Sequence, residues 1–159
     1  MRSIRMYSLV TASLLALGAA GCGDFEKDAP DTAVRDFLSQ AVGTGNGQRA
    51  CDYLTAEGQK AVAGAGAENA ADAAAGCRLG MERSRLTEDG EDILDLAGVK
   101  DLDYEAEVDG HEATVTVTGE GMEPLRFRLR HDEGLGNLYE PKTPWRIEAG
   151  AETLVRAAS

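Results

Sequence analysis

Three cysteines and two histidines are the residues best equipped for chemistry in this 159-residue chain. Thiols and imidazoles hold metals or act as nucleophiles only when the fold gathers them. His111 and His131 both lie far in sequence from Cys51 and Cys77, so no metal site is signalled. No Ser-His-Asp spacing supports nucleophilic catalysis. The glycines around Gly43 follow a helical stretch rather than a strand, so they do not read as a phosphate loop. No cofactor site emerges. Cys51 and Cys77 form an even pair once Cys22 is set aside. In an oxidising compartment their bridge would close a loop of ~27 residues, worth roughly 3–4 kcal/mol in the chain-entropy view. Two buried free thiols or a metal pair are the alternatives.

Charged rows are the second chemical feature. Arg126, Arg128 and Arg130 alternate with Leu125, Phe127 and Leu129. That spacing puts the three arginines on one strand face, roughly 7 Å apart. Thr118, Thr116 and Thr114 are expected opposite them. The row suits an anionic or carbohydrate ligand or a partner protein, or is a solvent face balanced by nearby acids. Asp101, Asp103, Glu105 and Glu107 alternate with Leu102, Tyr104, Ala106 and Val108 and read as a solvated face. Tyr104 and His111 are then expected on the inward side, where they are candidates to line a cavity. The plainer alternatives are a core tyrosine and an exposed histidine.

The elements that position these residues follow from pattern. Asp31 is a good N-cap, and Val34, Phe37, Leu38, Ala41 and Val42 follow a helical stripe that ends at Gly43. A short second helix is expected over about Gln48–Leu54, and Thr55 caps a further segment around Glu57–Ala63. Gly64 to Glu68 should break the chain. A third helix over about Asn69–Leu86 should bury Ala70, Ala74, Cys77 and Met81, with small alanines allowing close approach. Thr87 to Gly98 is acidic and is expected to dock through Ile93, Leu94 and Leu96.

From Leu102 the period changes to two. Asp109-Gly110 is a hairpin signal, predicting that Val108 faces His111, Ala106 faces Ala113 and Tyr104 faces Val115. Leu125–Arg130 makes a third strand. Trp145, Ile147 and Ala149 alternate with Arg146 and Glu148 in a fourth. The expected fold is α+β: three N-terminal helices packed on a curved antiparallel sheet of about four strands. Residues 31–150 form the domain, and 151–159 a tail that makes a weak helix or frays.

The N-terminal segment has the order of a secretory signal. Arg2 and Arg5 precede a mostly apolar Met6–Leu17, and small residues Gly18–Gly21 lead to Cys22. The apolar core is well short of the ~20 residues that span a bilayer. Leu15-Ala-Leu-Gly-Ala-Ala-Gly-Cys22 resembles the lipobox of bacterial lipoproteins, with Ala19 where leucine is usual. The resemblance implies cleavage before Cys22 and acylation of that cysteine, with palmitate among the acyl groups. It also implies anchoring on the extracytoplasmic face of the cell membrane. Residues 1–21 are then the signal peptide and 22–30 the tether.

Loss of residues 1–21 removes two of the 16 basic residues and none of the 28 acidic ones, so the mature charge is 14 − 28 = −14. Such a domain is repelled by phosphate backbones and by an anionic membrane surface, so nucleic acid is excluded as a partner and membrane contact falls to the lipid.

The folded part resembles small, actinobacterial-type lipoproteins with a nuclear transport factor 2-like domain, the cone fold shared with ketosteroid isomerase. The matching stretches are Ala33–Ala41, Ala50-Cys51-Asp52-Tyr53-Leu54-Thr55, Cys77, Glu112-Ala113-Thr114-Val115 and Pro144-Trp145-Arg146-Ile147. The isomerase places carboxylates inside its cone. None of the inward positions predicted here is a carboxylate. The expectation is therefore a non-catalytic module that binds an envelope protein or small ligand. A cone-fold enzyme acting on a small molecule is the alternative.

Overall fold

The computed structural model describes residues 29–66, 72–85, 87–88, 91–92, 96–132 and 141–155. These residues form an α+β fold with a four-stranded antiparallel sheet. Five α-helices are present among them rather than three.

Helix α1 spans Pro30–Leu38, and the chain continues through a π-helical turn, Ser39–Gly43. Its N-cap is Ala29 with Pro30 in the first turn, two places earlier than the expected Asp31 cap. Proline suits this position because its missing N–H would have no helical partner there. The expected stripe is buried: Val34, Phe37 and Leu38 have no exposed surface, and Ala41 and Val42 little.

Helix α2 is Gly47–Cys51, capped by the Asn46 side chain, which accepts from the Arg49 N–H at 3.0 Å. Helix α3, Ala56–Gly66, is a full helix that runs past Gly64; the Thr55 hydroxyl accepts from the Gly58 N–H at 3.1 Å. Helix α4, Ala73–Glu82, begins at an Asp72 cap and is shorter than expected.

Ala74 is exposed, contrary to expectation, while Gly76, Cys77, Gly80 and Met81 form the buried side of α4. Ala70 lies outside the described residues. Glycine, rather than alanine, brings α3 and α4 together: a Cβ on Gly80 would fall 2.8 Å from Val62 Cγ1. Gly80→Ala should therefore lower stability by about 1–3 kcal/mol through overpacking, despite alanine's better helix propensity. Denaturant titration checks this, and Val62→Ala in the same chain should recover part of the loss.

Strands β1, Thr87–Glu88, and β2, Glu91–Asp92, make a small hairpin absent from the sequence expectation. Helix α5, Leu96–Asp101, was likewise unexpected; it buries Val99, while Leu96 stays 41% exposed. Ile93 and Leu94 lie outside the described residues.

The main sheet runs β3 (Asp103–Asp109), β4 (Glu112–Thr118), β5 (Leu125–His131) and β6 (Trp145–Ala149), in that order. Its inner side packs on α1, where Phe37 meets Phe127 edge-on at 5.9 Å. Val115, Val117, Phe127, Leu129 and Ile147 are fully buried there.

The β3–β4 register differs by one full period from expectation. Gly110 and His111 form the turn, Asp109 pairs with Glu112, Val108 with Ala113, Ala106 with Val115 and Tyr104 with Val117. Gly110 sits at φ +61°, the left-handed region that glycine enters without penalty. A shift of two residues leaves the strand side chains on their predicted faces, so alternation alone cannot detect it; His111, expected inward, is moved into the turn and exposed.

The far edge of β6 is closed by Tyr53–Thr55. Leu54 bridges Ile147 in parallel, with Ile147 N–H to Tyr53 carbonyl at 2.8 Å and Thr55 N–H to Ile147 carbonyl at 2.9 Å. The chain then turns at Gly150, φ +104°, into a 3-10 turn, Ala151–Leu154. Ala151, Leu154 and Val155 are buried, and Val155 bridges Ser84, so packed structure continues past residue 150. Residues 156–159 lie outside the described residues.

Candidate functional site

The outer side of the sheet carries the charged rows, and strand alternation puts them there. Arg126, Arg128 and Arg130 are exposed on β5, between buried Phe127 and Leu129. Their neighbours on β4 are Thr116, Thr114 and Glu112 respectively. The expected row was Thr118, Thr116 and Thr114; the return from β4 to β5 brings Val117 opposite Leu125, so each arginine meets the residue two places nearer the hairpin.

On the other side, β6 supplies Glu148. Its carboxylate accepts from Arg128 Nε at 3.1 Å and from Arg130 Nη2 at 2.6 Å. A bulge makes this possible. Arg128 pairs with Ala149 and Leu129 with Ile147, so Glu148 is an extra residue on β6, set between the two arginines. Its side chain is only 16% exposed, whereas the two arginines are 60% and 57% exposed. One carboxylate thus orders two guanidinium groups and leaves a net positive charge. Arg126 makes no ion pair among the described residues.

The acid row lies two strands away. Asp103, Glu105, Glu107 and Asp109 are all exposed on β3. Adjacent strands sit about 4.8 Å apart, so the acid and arginine rows are separated by roughly 10 Å, with Glu112, Thr114 and Thr116 of β4 between. That is about one Debye length, so neither row neutralises the other. A shallow depression of about 190 Å³ spans this surface, lined among others by Glu107, Asp109, Glu112, Thr114 and Arg128. It presents both signs of charge to anything that docks.

Arg146 is not an outward surface residue. It is 6% exposed and donates from Nη1 to the Thr143 and Trp145 carbonyls and from Nη2 to Pro141 carbonyl at 3.3 Å. Burial lowers its affinity for the proton, and the charge of Asp132 opposes that effect. The side chain fastens Pro141–Trp145 to the sheet rather than meeting a ligand. A separate cleft of about 80 Å³ lies between the π-helical turn and α2, lined by Gln40, Arg49, Asp52, Tyr53 and Pro141. Nothing in the sequence reading pointed to it.

Tyr104 and His111 do not share a cavity. Tyr104 sits at the start of β3 and His111 in the turn at the other end, about 20 Å away along the hairpin. The Tyr104 hydroxyl donates to Val99 carbonyl at 2.7 Å, and Arg35 lies 4.8 Å over its ring. Burial, chiefly, pushes the phenol up. His111 is exposed, its ring 5.8 Å from that of His131, which meets Trp145 edge-on at 4.8 Å.

Cys51 and Cys77 form a disulfide that ties α2 to α4. Cys22 lies outside the described residues. Among the described residues no group of three metal-ligating side chains occurs, and no helix is long and apolar enough to cross a membrane. Compared with protein-family models, with curated proteins and with solved structures, the chain matches none.

Proposed function

We propose that this chain is a bacterial lipoprotein, cleaved before Cys22, acylated there, and held on the extracytoplasmic face of the cell membrane. Its nuclear transport factor 2-like domain acts there as a non-catalytic module that binds an envelope partner through the arginine row. The observation that carries this reading is the row itself: three exposed arginines on a strongly acidic chain, two of them ordered by Glu148. The disulfide supports export, because such bonds persist in oxidising compartments. It also uses two of the chain's three cysteines, and the third is Cys22. Binding at the surface, rather than catalysis inside the cone, is supported by the packing of the inner face. Phe37, Val115, Phe127 and Leu129 occupy it with no exposed surface, and the Tyr104 hydroxyl is committed to a backbone carbonyl.

The test is the triple change Arg126→Gln, Arg128→Gln and Arg130→Gln in the full chain. Exposed pairs are worth about 0–1 kcal/mol each, so stability should fall by no more than about 2 kcal/mol. Capture of envelope partners after cross-linking in membranes should be lost. Recovery of the same partners by the triple variant would overturn the reading.

A further inference from the structure

The sheet is finished at one edge and open at the other. Tyr53–Thr55 covers β6, but among the described residues β3 has no neighbour beyond β4. β3 is seven residues long and regular, so its outer backbone groups form a ready template for another strand. Its inner side is also unfinished. The equivalent residues on β4 and β5 are buried, yet Ala106 is exposed and Val108 is 57% exposed. An added strand would cover both the amides and this apolar strip.

The charges select the occupant. In antiparallel pairing with a second copy of β3, Asp103 would meet Asp109 and Glu105 would meet Glu107. Like charges directly opposite each other disfavour that pairing. A strand alternating basic and apolar residues would instead set cations against the four acids and apolar groups beside Tyr104, Ala106 and Val108. β5, Leu125-Arg126-Phe127-Arg128-Leu129-Arg130, shows that this sheet already accommodates such a strand.

We propose that β3 is a strand-addition site for an extended segment of a partner protein in which basic and apolar residues alternate. Main-chain hydrogen bonds supply the affinity and the acid row the specificity. This surface is distinct from the arginine row and would operate whether or not that row binds anything.

The experiment uses the full chain in detergent micelles and an acetylated peptide, Lys-Val-Lys-Val-Lys-Val-Lys. Amide hydrogen exchange should slow at β3 positions not bonded to β4 when the peptide is added. The same peptide N-methylated on alternate residues, with charge kept but ladder bonds removed, should bind at least about tenfold more weakly. Glu105→Lys with Glu107→Lys should also weaken binding about tenfold, because two cross-strand pairs turn repulsive. The arginine-to-glutamine triple variant should bind the peptide as the wild type does, which separates this site from the arginine row. Equal binding of the N-methylated peptide would reduce the site to charge attraction and overturn the proposal. So would β3 amides already protected without peptide in a self-associated protein, or unchanged exchange at saturating peptide.

Discussion

Phe127→Ala should lower stability by about 3–5 kcal/mol, the usual loss for deleting a buried phenyl ring. Phe127 has no exposed surface, sits opposite Val115 on β4 and meets Phe37 edge-on at 5.9 Å. It therefore joins the sheet to α1 at the centre of the core. Domains of this kind have about 5–15 kcal/mol in total, so the variant should lose much of its folded margin. Arg128→Ala, one residue on, removes an exposed side chain and should cost about 1 kcal/mol or less. Equilibrium urea unfolding of both variants checks the contrast. Similar losses would contradict the burial of Phe127 against the exposure of Arg128.

Removing the disulfide should cost almost as much. The bridge joins residues 26 apart in sequence, and the entropy it removes from the unfolded chain is worth roughly 3–4 kcal/mol. The local packing gives it added weight, because two of the four buried residues of α4, Gly76 and Gly80, are glycines and contribute little apolar surface of their own. Cys51→Ser with Cys77→Ser should lower the Tm by about 10–20 °C, and reductant applied to the wild-type protein should do the same. Equal melting temperatures with and without reductant would contradict this.

Much of the sheet was legible because its alternation is strict. Leu125, Phe127 and Leu129 fall inside and the arginines outside, as the pattern predicts. The β3–β4 register was not legible, since a slip of two residues preserves the faces of the strand side chains. In helix α4 Cys77 and Met81 are buried as their spacing predicts, but Ala74 is not: alanine and glycine differ little in hydropathy, and close contact with Val62 selects Gly80 for the inside. The six-residue α5 is too short for a periodic signal. Arg146 and Glu148 read alike as outward residues of one strand. A bulge and the overlying Pro141–Pro144 segment give them opposite parts, one buried against carbonyls and one clamping two arginines. The uncovered inner side of β3 was invisible as well, because its apolar residues have the same pattern as those that are buried.

Intact-mass measurement of the protein taken from the membrane fraction tests acylation at Cys22 most directly. The predicted mature chain begins at Cys22 and has lost residues 1–21. It carries covalently bound acyl groups and is two hydrogens lighter than the reduced form because of the Cys51–Cys77 bridge. A mature chain with an unmodified Cys22 thiol, or a precursor that keeps residues 1–21, would contradict it.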